Sequence, residues 1–73
     1  MTREIDIKSE AQVEKINRLA CDAPYEVWLF TDDIMLDARS LLGLFALVGQ
    51  RARVVVEDDV PPRSLDRLVA KMS

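Results

Sequence analysis

Asp37-Ala38-Arg39-Ser40-Leu41-Leu42-Gly43-Leu44-Phe45-Ala46-Leu47, running on to Val48 and Gly49, is the stretch around which the rest of the chain arranges itself. Ser40 is suited to cap a helix, because its side-chain oxygen can accept from a backbone N–H two or three residues on. The run behind it predicts a helix over Ser40 to Val48. Gly49 then stands in the C′ position, where the left-handed backbone favours glycine. Leu41 to Val48 is nearly apolar all round, which is the pattern of a buried helix. Yet the chain has only 73 residues, and one sheet cannot cover every side of a short helix. Part of this segment is therefore expected at the surface, where contiguous apolar area marks a contact for another protein. Gly43 would let the helix come close to the sheet.

Downstream, Ala52 to Glu57 carries Val54, Val55 and Val56 and reads as a strand. Glu57-Asp58-Asp59 is an acidic connector. Pro61-Pro62 leads into a helix with Leu65, Leu68, Val69 and Met72 on one side. Upstream, Tyr25 to Thr31 is a strand rich in aromatic and branched residues. Asp32-Asp33 turns the chain, and Ile34 to Asp37 returns as its hairpin partner, without a glycine to mark the turn. Earlier still, Ile5 and Ile7 alternate with Glu4, Asp6 and Lys8, the pattern of a half-buried strand. At Ser9 the period changes. Ser9-Glu10-Ala11-Gln12 is a capping box, and Val13, Ile16, Leu19 and Ala20 form the apolar stripe of the helix it opens. Glu14 and Arg18 lie one turn apart in the favourable order. Asp22-Ala23-Pro24 ends that helix. The order is β-α-β-β-α-β-α over residues 1–73, read as one domain. Its simplest packing is an α+β fold: a four-stranded antiparallel sheet with three helices on one face and the other face open.

Bulk properties narrow the function. A chain this short buries only about 60% of its unfolded surface and has little room for a deep cleft. The net charge is −3 and the pI about 4.8, which opposes binding to a nucleic-acid backbone or an anionic membrane. No apolar run approaches the about 20 residues of a membrane span. Residues 2–8 already alternate with charge, unlike a signal peptide. Cys21 is the sole cysteine, so no internal disulfide forms, and a cytoplasmic setting is expected. Cys21 itself reads as a small buried hydrophobe. Asp32-Asp33 and Glu57-Asp58-Asp59 lack calcium-loop spacing and read as solvated turns. No metal site, cofactor site, catalytic triad, paired-carboxylate arrangement or phosphate-cradling glycine loop is found. A non-enzymatic protein is the expectation.

The segment Asp37 to Leu47, set in this element order, resembles HPr, the phosphocarrier protein of the bacterial sugar phosphotransferase system. In Gram-positive members of that family a basic residue, a serine, two large apolar residues and a glycine open the second helix. The resemblance implies the open-faced β-sandwich of HPr. It also implies a histidine between the first strand and first helix that carries a phosphoryl group, with an arginine and the helix N-terminus holding the phosphoryl oxygens. The matching segment here is Ile7-Lys8-Ser9-Glu10-Ala11. It has neither residue, and the chain contains no histidine at all. Glu10 in the first turn would repel a phosphoryl group. Phosphocarrier activity is therefore not expected, and what remains is a regulatory module binding a phosphotransferase-system component or a transcriptional regulator.

Ser40 matches the serine that a dedicated kinase phosphorylates in Gram-positive HPr. Arg39 is adjacent, and Leu41, Leu42 and Phe45 match the apolar surface HPr offers to partners. Ser40 has a plainer reading as a helix cap alone, and the helix has a plainer reading as fully buried. A second candidate surface comes from strand alternation. If Val27 and Leu29 face the helices, Trp28 and Phe30 face the open side, joined by Met35 and Val55. Such a face predicts a homodimer or docking on a second protein. The reversed assignment would put the aromatics in the core. Two other readings stand beside the first: a small-ligand-binding ACT-like regulatory domain, and a structural homodimer without a switch.

Overall fold

A computed structural model describes all residues from Met1 to Ser73. The strands are β1 (Thr2–Asp6), β2 (Trp28–Phe30), β3 (Met35–Asp37) and β4 (Arg51–Val55). The helices are α1 (Glu10–Asp22), α2 (Leu41–Phe45) and α3 (Pro62–Met72). The sheet order is β1-β4-β2-β3, and every neighbouring pair is antiparallel.

Seventeen side chains form one buried cluster, and all are apolar. They include Ile5, Leu29, Ala52, Val54 and Val56 from or beside the sheet, Val13, Ile16 and Ala20 from α1, Leu44 from α2, and Leu65, Leu68 and Met72 from α3. The helical stripes read from the sequence are the ones that face the sheet. Leu19 and Val69 are half-buried at the cluster's margin. Glu14 and Arg18 do not close into an ion pair.

Several elements are shorter than the apolar pattern suggests. β2 keeps only three of the seven residues from Tyr25 to Thr31, because residues 23–25 bend around the end of α1. Val27 still receives a hydrogen bond from the Ala38 N–H. The glycine-free hairpin turn is held by Thr31. Its Oγ1 accepts from the Asp33 and Ile34 N–H groups, and its own N–H donates to the Ile34 carbonyl at 2.8 Å. α2 spans five residues instead of nine. Beyond Phe45 the chain tightens into turns, with Ala46, Leu47 and Val48 donating to carbonyls three residues back. This is the 3₁₀-like winding that often ends a helix. At Gly49 φ is +91°, as the left-handed reading of that position requires. The Gly49 N–H donates to the Ile7 carbonyl at 2.7 Å, and Ile7 donates to Gln50. These bonds tie the end of the α2 segment to the exit of β1.

Candidate functional site

Three places carry residues singled out by the sequence: the β1–α1 junction, the start of α2, and the sheet face turned away from the helices.

The junction is closed by its own side chains. Ser9 Oγ accepts from the Gln12 N–H at 3.2 Å. Gln12 Oε1 accepts from the Lys8 N–H, and Gln12 Nε2 donates to the Asp6 carbonyl, both at 2.8 Å. The capping box is therefore extended one residue outward, since the glutamine serves Lys8 rather than Ser9. Asp6 Oδ1 accepts from Arg51 Nε at 2.9 Å, and this bond holds the Asp6 carboxyl below the usual aspartate range. Glu10 lies exposed in the first turn. The chain has no histidine to stand at this junction, and the hollow beside it is lined by Lys8, Ser9, Gln12 and Lys15.

The start of α2 is built differently. Ser40 occupies the N-cap position, yet its side chain makes no capping hydrogen bond. Only its backbone takes part: the N–H donates to Asp37 and the carbonyl accepts from Leu44. The cap reading of the Ser40 side chain is thus corrected. With the backbone of Ser40 at φ −87° and ψ 89°, the hydroxyl makes no capping bond, and the residue is exposed. Arg39 is not free beside it. Its Nη2 lies 2.7 Å from Asp37 Oδ2, its Nε 3.1 Å from Oδ1, and Glu26 is 3.7 Å away. The Arg39 backbone N–H donates to the same Oδ1 at 2.9 Å. Hydrogen bonding from the guanidinium, then from that N–H, lowers the Asp37 pKa, and the same pair raises that of Arg39.

Apolar residues behind Ser40 sort cleanly. Leu44 and Leu47 are fully buried while Leu41 and Leu42 are exposed, so the alternative of a fully buried helix does not hold and the segment is partly at the surface, as expected. Leu42 is 85% exposed and Leu41 37%. Phe45 is half-buried and packs against the core, so it supports the surface more than it forms it. A Cβ on Gly43 would stand 3.0 Å from Leu36 Cδ2 and 3.2 Å from Ser40 Oγ. The glycine is what seats α2 on β3. Cys21 is exposed, against its reading as a buried hydrophobe. It stands one residue on from buried Ala20, and one step along a helix turns the side chain by about 100° away from the sheet.

On the open sheet face, the register lines residues into cross-strand rows. Thr2, Val55, Trp28 and Asp37 make one row. Glu4, Arg53, Phe30 and Met35 make the next. Asp6 and Arg51 begin a third. Val27 and Leu29 are buried on the helical side, so the reversed assignment, with the aromatics in the core, does not hold.

No protein-family model matches the sequence, and no curated protein does. Solved structures do match. HPr-C-His from Thermoanaerobacter tengcongensis superposes with a TM-score of 0.75 at 19% identity, covering 99% of this chain and 90% of the other. The phosphocarrier protein HPr from Bacillus anthracis str. Ames gives 0.75 at 14% identity, covering 100% and 96%. The fold is that of HPr. At such identities the likeness is one of architecture, and chemistry has to be read from the residues. Within the HPr fold, the junction of β1 and α1 here carries Ser9 and Gln12 in a closed cap. The start of α2 carries the exposed leucines. No helix is long and apolar enough to cross a membrane.

Proposed function

We propose that this chain is a histidine-less member of the HPr family that works by docking on another protein through the start of α2, and not by carrying a phosphoryl group. The observation that carries this reading is the placement of exposed apolar bulk. Of the large hydrophobics that stand exposed, Leu41 and Leu42 sit side by side in the first turn of α2. Leu42 is the extreme case, and a leucine so exposed beside a packed helix gains by entering a partner's pocket. The partner class implied by the family resemblance is a phosphotransferase-system component or a transcriptional regulator.

Ser40 is the switch in this reading. Its hydroxyl is exposed and not committed to the helix, so a kinase meets no competing cap bond. A phosphate there adds a charge of about −1.5 to −2 next to the apolar patch. Arg39 is already shared with Asp37 and Glu26, so the added charge is only partly neutralised. It would change which partner the patch accepts. The ACT-like alternative draws no support from a fold that superposes on HPr.

The test has two parts. Incubation with phosphoenolpyruvate and the first enzyme of the phosphotransferase system should leave the chain unlabelled; acid-labile label would end the reading. Calorimetry against that enzyme, and against the regulator that binds serine-phosphorylated HPr, should find binding to one of them. Leu42→Asp should weaken it at least tenfold, about 1.4 kcal/mol. Unchanged affinity would remove α2 as the docking surface.

A further inference from the structure

The sheet face turned away from the helices has no account in the docking role of α2. Its apolar members, Trp28, Phe30, Met35 and Val55, belong neither to the buried cluster nor to the side chains packed against it. Met35 is 60% exposed. Trp28 and Phe30 are half-buried with no helix above them. An antiparallel sheet can leave one face to water, but that face is then normally polar.

The face is also divided by column. β2 presents the aromatics Trp28 and Phe30, and the neighbouring β4 presents Arg51, Arg53 and Val55. Arg53 is lightly held, 3.6 Å from an Asp32 whose side chain is almost wholly in solvent. The charged end of the face is a shallow hollow of about 400 Å³ lined by Glu4, Asp32, Asp33, Arg51 and Arg53.

From this pattern we infer that the open face packs on the same face of a second copy of this chain. The two-fold axis runs parallel to the strands, between β4 and β2. Such an axis exchanges the two central columns and keeps the rows aligned. Val55 meets the partner's Trp28. The Arg53 guanidinium lies over the partner's Phe30, a favourable cation–π arrangement once water is excluded. Arg51 comes opposite the partner's Asp32, and Glu4 opposite the partner's Met35. A second copy is the occupant that fits, because that axis sets Val55 and Arg53 of β4 against Trp28 and Phe30 of β2 twice over, once from each copy. Four strands spaced by about 4.8 Å give a contact of roughly 1,000 Å² in total, the low end for specific interfaces. The dimer is therefore weak, with a dissociation constant on the order of micromolar.

Trp28 is the only tryptophan and reports on the interface directly. Sedimentation velocity and tryptophan emission are to be followed together on the full chain across a dilution series. The expected result is a fall from dimer to monomer accompanied, over the same concentrations, by a red shift of the emission. Two variants at exposed Met35 test the register, with circular dichroism confirming that each is folded. Met35→Glu sets two carboxylates against each other across the axis and should weaken the dimer at least tenfold. Met35→Lys places an ammonium opposite Glu4 and should weaken it distinctly less. A chain that stays monomeric up to about 1 mM overturns the inference. So does a dimer whose emission does not move on dilution, or one that both variants affect equally.

Discussion

Two helices in this molecule begin with a serine, and the two serines behave differently. Ser9 closes α1: its hydroxyl takes the Gln12 N–H, while Gln12 itself ties Lys8 and Asp6 to the helix. Ser40 opens α2 without using its side chain. Each stands near an aspartate held by an arginine, Asp6 by Arg51 and Asp37 by Arg39. The first start is thus finished by internal bonds, and it occupies the place where the HPr resemblance would put a phosphorylated histidine. The second leaves a hydroxyl and two leucines facing outward. Polar groups that are fully satisfied within the chain stabilise it and offer little to a partner. Groups left over at a well-supported position are what a partner can use.

The sharpest way to break this comparison lies inside α2, between two leucines two residues apart. Leu44→Ala removes a wholly buried side chain from a chain with little stability in reserve, at a cost of about 2–5 kcal/mol. Against a total on the order of 5 kcal/mol, much of that variant should be unfolded in a urea titration. Leu42→Ala should change the unfolding midpoint by less than the equivalent of about 0.5 kcal/mol. If Leu42→Ala destabilised the chain as Leu44→Ala does, α2 would be a core element and its outward face no docking surface.

How much of this was legible beforehand depends on whether a signal is local. The fold was legible, because the switch from alternation at Ile5 and Ile7 to helical spacing at Val13, Ile16 and Ala20 is a property of neighbours. The stripe at Leu65, Leu68 and Met72 is equally local. The faces of β2 followed from alternation alone. The length of α2 was not legible, since Ala46 to Val48 has helical composition and only the tie from Gly49 to Ile7 shows where the winding tightens. The free hydroxyl of Ser40 was hidden for a similar reason. Capping depends on backbone angles at Ser40, φ −87° and ψ 89°, that no residue name records. Cys21 was misread because it sits beside the buried Ala20, where a one-residue step turns a helical side chain by about 100° and carries it from core to solvent. The clamp on Arg39 was hidden too, as Glu26 and Asp37 reach it from β2's approach and from β3.

A smaller effect separates the serines themselves. Ser9→Ala deletes a capping bond and should cost about 1 kcal/mol. Ser40→Ala deletes none and should cost no more than a few tenths. Chemical denaturation of the two variants side by side reads the difference. Equal losses would mean that Ser40 caps α2 in solution and that its hydroxyl is not free for modification.

The smallest expected effect concerns the two aspartate–arginine pairs. Both carboxyls titrate below the ordinary aspartate range in the folded chain, Asp6 because of the bond from Arg51 and Asp37 because of the bonds from Arg39. A folded value below the unfolded one means that the pair contributes while the pH stays above the unfolded pKa of about 3.9. The contribution is lost as the pH falls through the folded value. Both sites are open to solvent, so salt screens them and the effect on unfolding should be slight. Side-chain carboxyl NMR titration resolves each one separately. Arg51→Ala should return Asp6 toward the ordinary range and leave Asp37 unmoved, and Arg39→Ala should release Asp37 while leaving Asp6 unmoved. The second variant bears on function as well. With Arg39 gone, a phosphate on Ser40 would face Asp37 and Glu26 with no cation between them, and a kinase should modify the chain more slowly. A rate equal to that of the unmodified sequence would show that Arg39 serves Asp37 alone.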